Sequence, residues 1–233
     1  MERLDLPALI PLQSVGAARE TPVASSGNPV YALDARTQLA FRGTSMQEDG
    51  GLQFAARTLN WWGGSGVIWC TVLLWLGARV GRQRRLSLLG LRAAEAIAVS
   101  SAISAVMKAL GGRWRPFLAP GQPWHWSFAH GWADARYFSM PSGHTTVSFA
   151  FAVVLSTSLA GISRTLRLGA IFLACGAAAG VAFARVYLDQ HWLSDVAAGA
   201  LLGSVTGWLI VHWHATRQDS AFDRAMLGPA THS

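Results

Sequence analysis

Residues 166–212 read LRLGAIFLACGAAAGVAFARVYLDQHWLSDVAAGALLGSVTGWLIVH, two apolar runs joined by a short polar hinge. Each run, Leu166 to Val186 and Val196 to His212, is close to the ~18 to 20 residues that a helix needs to cross a bilayer. Three more runs lie upstream: Trp61 to Val80, Leu86 to Leu110 and Val147 to Ala160. The last is extended back to Pro141, because proline suits a first helical turn. In lipid every backbone N–H and C=O must be satisfied within its own segment. Five such runs therefore predict an all-α, polytopic membrane helix bundle with five transmembrane helices.

Composition agrees. Of 233 residues 52% are hydrophobic and 13% charged, the mean hydropathy is +0.30, and soluble domains carry about 25% charged residues. The net charge of +7 comes from 18 arginines and a single lysine, Lys108, against 12 acids. The arginines are scattered between apolar runs and form no basic stripe, so the implied partner is a membrane surface and not nucleic acid. Cys70 and Cys175 sit inside apolar runs and read as small hydrophobes.

Three regions follow. Residues 1–58, with six acids and five arginines, are expected to be a polar tail, partly disordered or interfacial; 59–214 form the membrane domain; 215–233 form a cytoplasmic C-terminal tail. Leu6 to Leu12 is too short for a secretory signal. Arginines between runs one and two (Arg79 to Arg85), between three and four (Arg164, Arg167) and after run five (Arg217, Arg224) share one side, which the positive-inside rule makes cytoplasmic. Seven tryptophans, Trp61, Trp62, Trp114, Trp124, Trp126, Trp132 and Trp192, gather at the opposite ends, as an interfacial belt would. Glycines at four-residue spacing, Gly176 and Gly180 and then Gly199, Gly203 and Gly207, predict close helix approach.

Charges near a membrane core are costly, so each invites a functional question. Glu95 follows Arg92 by three residues and is expected to pair with it. The remaining charges of interest meet at the exoplasmic end in three clusters. Lys108-Ala-Leu-Gly-Gly-Arg113-Trp-Arg115-Pro116 sets cations around a glycine turn suited to an anion. Pro141-Ser142-Gly143-His144 opens a helix whose free amides stabilise a phosphate oxygen, with a hydroxyl, a close backbone approach and a proton donor added. Arg185 to Asp195 places His191 one helical turn before Asp195, and a carboxylate on one imidazole nitrogen leaves the other free to attack.

The ordered pattern K-x6-R-P (Lys108, Arg115, Pro116), P-S-G-H (Pro141 to His144) and R-x5-H-x3-D (Arg185, His191, Asp195) resembles the three-part signature of the type 2 phosphatidic acid phosphatase superfamily, the lipid phosphate phosphatases. The third motif departs by carrying Ala184 where a serine is usual, and five apolar runs stand where membrane members usually have six helices. The resemblance implies that His191 attacks phosphorus to form a phosphohistidine, Asp195 orients it, and His144 protonates the departing oxygen. It implies that Lys108, Arg115, Arg185, Ser142 and the Gly143 amide hold the phosphoryl oxygens, with no metal or other cofactor. Arg136 is the candidate headgroup contact in the loop from Phe117 to Ser139. The expected function is a metal-independent membrane phosphatase of a lipid phosphate or diphosphate, in the cell (inner) membrane with its active site facing outward. Undecaprenyl diphosphate, phosphatidylglycerol phosphate, phosphatidic acid and a lipid A phosphate are the candidate substrates. The rival class is a transporter or channel for an anionic solute using the same cations.

Overall fold

A computed structural model describes residues 27–42, 44–128, 134–159, 162–218 and 220–227. Its helices are α1 (Pro29–Phe41), α2 (Gly50–Trp61), α3 (Val67–Val80), α4 (Arg84–Gly111), α5 (Gly143–Ser158), α6 (Arg164–Tyr187), α7 (Leu193–Thr216) and α8 (Ala221–Leu227). The architecture is all-α, with no strand among the described residues.

The helix starts follow local capping chemistry. Asn28 accepts from the Val30 N–H (2.9 Å) ahead of Pro29, Asp49 accepts from Leu52 N–H (2.9 Å), and the Ser163 hydroxyl accepts from Leu166 N–H (3.4 Å). Each satisfies an amide with no partner inside its helix. α2 and α3 form one continuous path through a π turn at Trp62–Gly66. The run Gly63-Gly64-Ser65-Gly66 resists regular helix, and π turns relieve such strain by inserting a residue.

The first apolar run, expected from Trp61, lies within a longer helical path, Gly50–Val80, and α1 precedes it. Among the described residues, four helices are long and apolar enough to cross a membrane, Gly50–Val80, Arg84–Gly111, Arg164–Tyr187 and Leu193–Thr216. The expected third span is the exception. α5 begins at Gly143, not Pro141, because Ser142 occupies the N-cap, and it is 16 residues long. It is also the helix most enclosed by protein, packed against α4, α6 and α7. Its Val147, Ala150, Phe151 and Val154 form the core with Val67, Ala93, Ala96 and Ile97.

The α5–α7 contact depends on missing side chains. A Cβ on Gly203 would stand 2.1 Å from the Thr146 carbonyl oxygen, one on Gly199 2.6 Å from that of Ser142, and one on Gly207 2.9 Å from that of Ala150. The predicted close approach is thus realised along α7, whereas Gly176 faces open space and Gly180 meets only the Leu59 side chain.

Candidate active site

Helix directions bring the C-terminal ends of α4 and α6 together with the N-terminal ends of α5 and α7, and the three motifs occupy those ends. α4 stops at Gly112, which takes a left-handed conformation (φ +61°) and returns its N–H to the Lys108 carbonyl at 3.0 Å. A side chain there would collide with the Ser127 carbonyl at 2.2 Å, so glycine is required. α5 is seated on α7 by the Ser142 N–H, which donates to the Asp195 carbonyl at 2.9 Å. At the end of α6, the Arg185 carbonyl accepts from both Gln190 and His191 N–H groups at 3.1 Å, which folds the third motif into a tight loop. Asp189 in that loop has φ +57°, a strained position that aspartate tolerates better than most residues.

Beside these supports lies a cavity of about 680 Å³, whose walls include Lys108, Gly143 and His144, the π-turn residues Gly63, Gly64 and Ser65, and Ile68, Ser104, Ala105, Phe138 and Val147, whereas Arg115, Arg185, His191 and Asp195 are not among its lining residues. Lys108 and Gly143 touch closely, since a Cβ on Gly143 would lie 3.0 Å from Lys108 Nζ. Arg115 borders the third motif, its Nη1 donating to the carbonyl and side-chain oxygens of Gln190 at 3.2 and 3.3 Å. Arg185 is buried, and its guanidinium donates to the side chain of Asn60 in α2.

His191 is 2% exposed and Asp195 fully buried. Burial pushes the His191 imidazole down to about 3, with the Arg185 and Arg115 charges acting the same way and Asp195 opposing them. The ring is therefore neutral at physiological pH, the state a nucleophile requires. The expected orienting hydrogen bond is longer than expected: Nδ1 lies 3.6 Å from Asp195 Oδ2, an electrostatic contact beyond hydrogen-bond range. The reason is competition. Asp195 already accepts from Arg113 Nη1 (2.5 Å), Ser139 Oγ (2.5 Å) and the Trp192 N–H (2.9 Å).

Several other sequence expectations are redistributed. Ser142 is fully buried, its hydroxyl accepts from the Thr145 hydroxyl and its N–H seats α5 on α7, and it does not line the cavity. Arg136 is not among the cavity's lining residues; its side chain is 62% exposed and paired with Asp134 at 2.5 Å. Ala184 packs beside Ala56 and Tyr187 against α2 and not toward the cavity. Trp192 is buried and donates to the Trp114 carbonyl (2.9 Å), and Trp126 stacks near Arg113, so these two serve the site's packing and not an interfacial belt. Trp132 lies outside the described residues. Glu95 acts on Arg92 through its charge, as expected, and also lies 2.5 Å from His214 Nε2 on α7.

Sequence reasoning assigned no role to Ser139, Asn60 or Asp34, and it read Arg113 as one of the cations of an anion-holding turn, where the structure pairs it with Asp34 and Asp195. Arg113 and Ser139 lie inside or next to the motif loops; Asn60 and Asp34 belong to α2 and α1, where nothing in the sequence links them to residues more than a hundred positions away. Among the described residues, the grouping of possible metal-ligand atoms is Glu95, His214 and Asp223, at the far end of α7. Arg217 donates to both Asp223 oxygens there (2.6 and 2.8 Å), which fits an ion-pair network better than a cation site.

No curated protein and no solved structure matches the chain. A family profile does: that of the PAP2 superfamily matches residues 89–219, more than half of the 233 residues and a stretch holding all three motifs. With its apolar helices long enough for a multi-pass membrane protein, the chain belongs to the PAP2 superfamily, whose members are phosphatases acting on phosphate esters.

Proposed function

We propose that the protein hydrolyses a phosphate or diphosphate monoester of a lipid through a phosphohistidine intermediate. The observation that carries this reading is the position of the cavity. Its lining combines Lys108, the α5 N-terminus at Gly143 and His144 with exposed residues of the apolar helices α3 and α4, Ile68, Ser101 and Ala105. A phosphate held at the polar residues leaves its hydrocarbon chain a path toward the lipid that surrounds those helices.

In the proposed reaction His191 Nε2 donates its lone pair to phosphorus, and the P–O bond to the lipid breaks as the P–N bond forms. His144 passes its proton to the departing oxygen, then takes one from the water that cleaves the phosphohistidine and releases phosphate. Lys108, Arg115, Arg185 and the Gly143 N–H compensate the charge on the phosphoryl oxygens, as preorganised donors do in phosphoryl transfer. Ser142 supports that amide through the helix start. The catalytic domain is taken as residues 59–214. The cytoplasmic arginine loops orient the motif end of the bundle toward the periplasm or exterior of the inner membrane.

The test is phosphate release by purified protein in detergent from a panel of undecaprenyl diphosphate, phosphatidylglycerol phosphate, phosphatidic acid and lipid A phosphate. Release from at least one, lost in His191→Ala and retained in EDTA, is expected. A chelator-sensitive activity removes the metal-independent mechanism. Absence of release from every lipid, with uptake of an anionic solute into proteoliposomes, replaces the phosphatase by a carrier.

A further inference from the structure

Arg113 is enclosed as few arginines are. It is 1% exposed, and the rings of Tyr31, Trp126 and Trp192 lie 5.4 to 5.8 Å from its guanidinium carbon. Its charge is shared between two buried carboxylates, Asp195 at 2.5 Å through Nη1 and Asp34 at 2.8 Å through Nη2. Asp34 comes from α1, upstream of the family match, and is itself 1% exposed. Its other oxygen accepts from the Ser194 N–H at 2.7 Å, the first turn of α7, and Oδ2 also accepts from the Ser194 hydroxyl at 2.6 Å.

The same face of α1 grips the other end of the loop. Gln38, one turn after Asp34, donates to Asp189 Oδ1 (2.8 Å) and to the Pro116 carbonyl (3.1 Å), and accepts from Gly121 N–H (2.7 Å). Arg42, one turn further, donates to Asp189 Oδ2 through Nη2 at 2.5 Å and Nε at 3.0 Å. Residues 34, 38 and 42 form one helical stripe, and it holds Asp189 and Ser194 on either side of His191.

We propose that α1 is a positioning element of the catalytic loop, with Asp34 acting through Arg113 to leave the charge of Asp195 available to His191. A P–N bond places positive charge on the imidazole, and a nearby carboxylate stabilises it. Were Arg113 paired with Asp195 alone, the two charges would cancel. With Asp34 on the other side of the guanidinium the trio carries a net negative charge, and Asp195 Oδ2, the oxygen not bonded to Arg113, lies 3.6 Å from His191 Nδ1. Asp34 is thus a positioning residue, never in contact with substrate. The inference rests on the reading of His191 as the nucleophile.

Orthovanadate, which forms a five-coordinate adduct on a nucleophilic atom, tests it without knowledge of the lipid. Calorimetric titration of the full-length protein in detergent is expected to show binding. Asp34→Asn is expected to weaken it by at least about tenfold, as lost electrostatic support does, while Asp34→Glu stays near wild type. In an Asp195→Asn background, Asp34→Asn adds less than about twofold, since both act through one path. Undiminished affinity in Asp34→Asn, or losses that multiply in the double variant, overturns the proposal while leaving the phosphatase reading intact. Wild-type protein that binds no vanadate overturns the phosphoryl site itself, and this inference with it. Should Asp34→Asn not fold, Arg42→Met, at a side chain 34% exposed, tests the other grip. A several-fold loss of affinity is expected, and none overturns the proposal.

Discussion

Gly64 and His144 are in contact because Gly64 has no side chain: a Cβ there would stand 2.9 Å from His144 Nε2. The π turn carries this backbone to the cavity wall, so the first membrane helix shapes the environment of the proposed proton donor. Gly64→Ala displaces the ring. Turnover of a lipid phosphate is expected to fall by about 10-fold or more with KM little changed, the loss approaching that of a missing general acid. Steady-state kinetics check it, and a change confined to KM places the contact in binding alone.

His144→Ala is expected to cost about 10² to 10⁴ in kcat for a lipid alkoxide leaving group. An activated aryl phosphate departs without a proton, so its loss is expected to be far smaller. Equal losses with both substrates remove the acid role.

Packing between α5 and α7 gives a stability contrast between two glycines. Gly203→Ala forces a methyl to within 2.1 Å of a backbone oxygen, and such overpacking costs about 1–3 kcal/mol. Activity falls with it, because Thr146 lies one helical turn from Ser142 and donates to its carbonyl (2.9 Å). Gly176→Ala meets nothing within 4 Å and is expected to be neutral or to stabilise by up to about 1 kcal/mol through helix propensity. Thermal unfolding in detergent separates them.

The buried His191 sets a pH dependence with a definite sign. Its imidazole is near 3 when folded and about 6.5 when unfolded, so between those values the unfolded chain binds the extra proton. Its contribution to stability is complete above about pH 6.5 and is lost as pH falls toward 3. The unfolding temperature is expected to drop from pH 7 to pH 5, and to drop less in His191→Asn; an identical slope in the variant contradicts the assignment. Turnover at pH 5 is not limited by His191 protonation.

Arg136 pairs with Asp134 in the open, where a charge is screened by solvent. Arg136→Ala is expected to leave kcat and KM within about twofold of wild type. A raised KM with kcat preserved would return Arg136 to the headgroup role that its loop position suggests.

How much the sequence reveals depends on the range of the physics. Apolar length, the positions of Lys108, Arg115, His144, Arg185, His191 and Asp195 in three ordered motifs, and the α7 glycine spacing are local properties, each legible within about a dozen residues. The helical class and the phosphatase family follow from them. The fate of α5 does not. Its 16 residues read as a span because they are apolar, and only the tertiary structure shows that this apolar surface is covered by α4, α6 and α7.

The sequence by itself determined an all-α membrane-type chain with three ordered motifs, because hydrophobic run length and motif spacing are written along the chain. Tertiary structure alone decided how those motifs are held. Arg113 is claimed by Asp34 and Asp195, 79 residues behind it and 82 ahead of it; Gln38 and Arg42 hold Asp189, about 150 residues away; and Gly64 lies against His144. The polar stretch before the first long helix contains no apolar run to mark it as structured. Its importance lies in buried charges that become complementary only when α1 meets α7, and charge complementarity between distant segments leaves no periodic signal in either one.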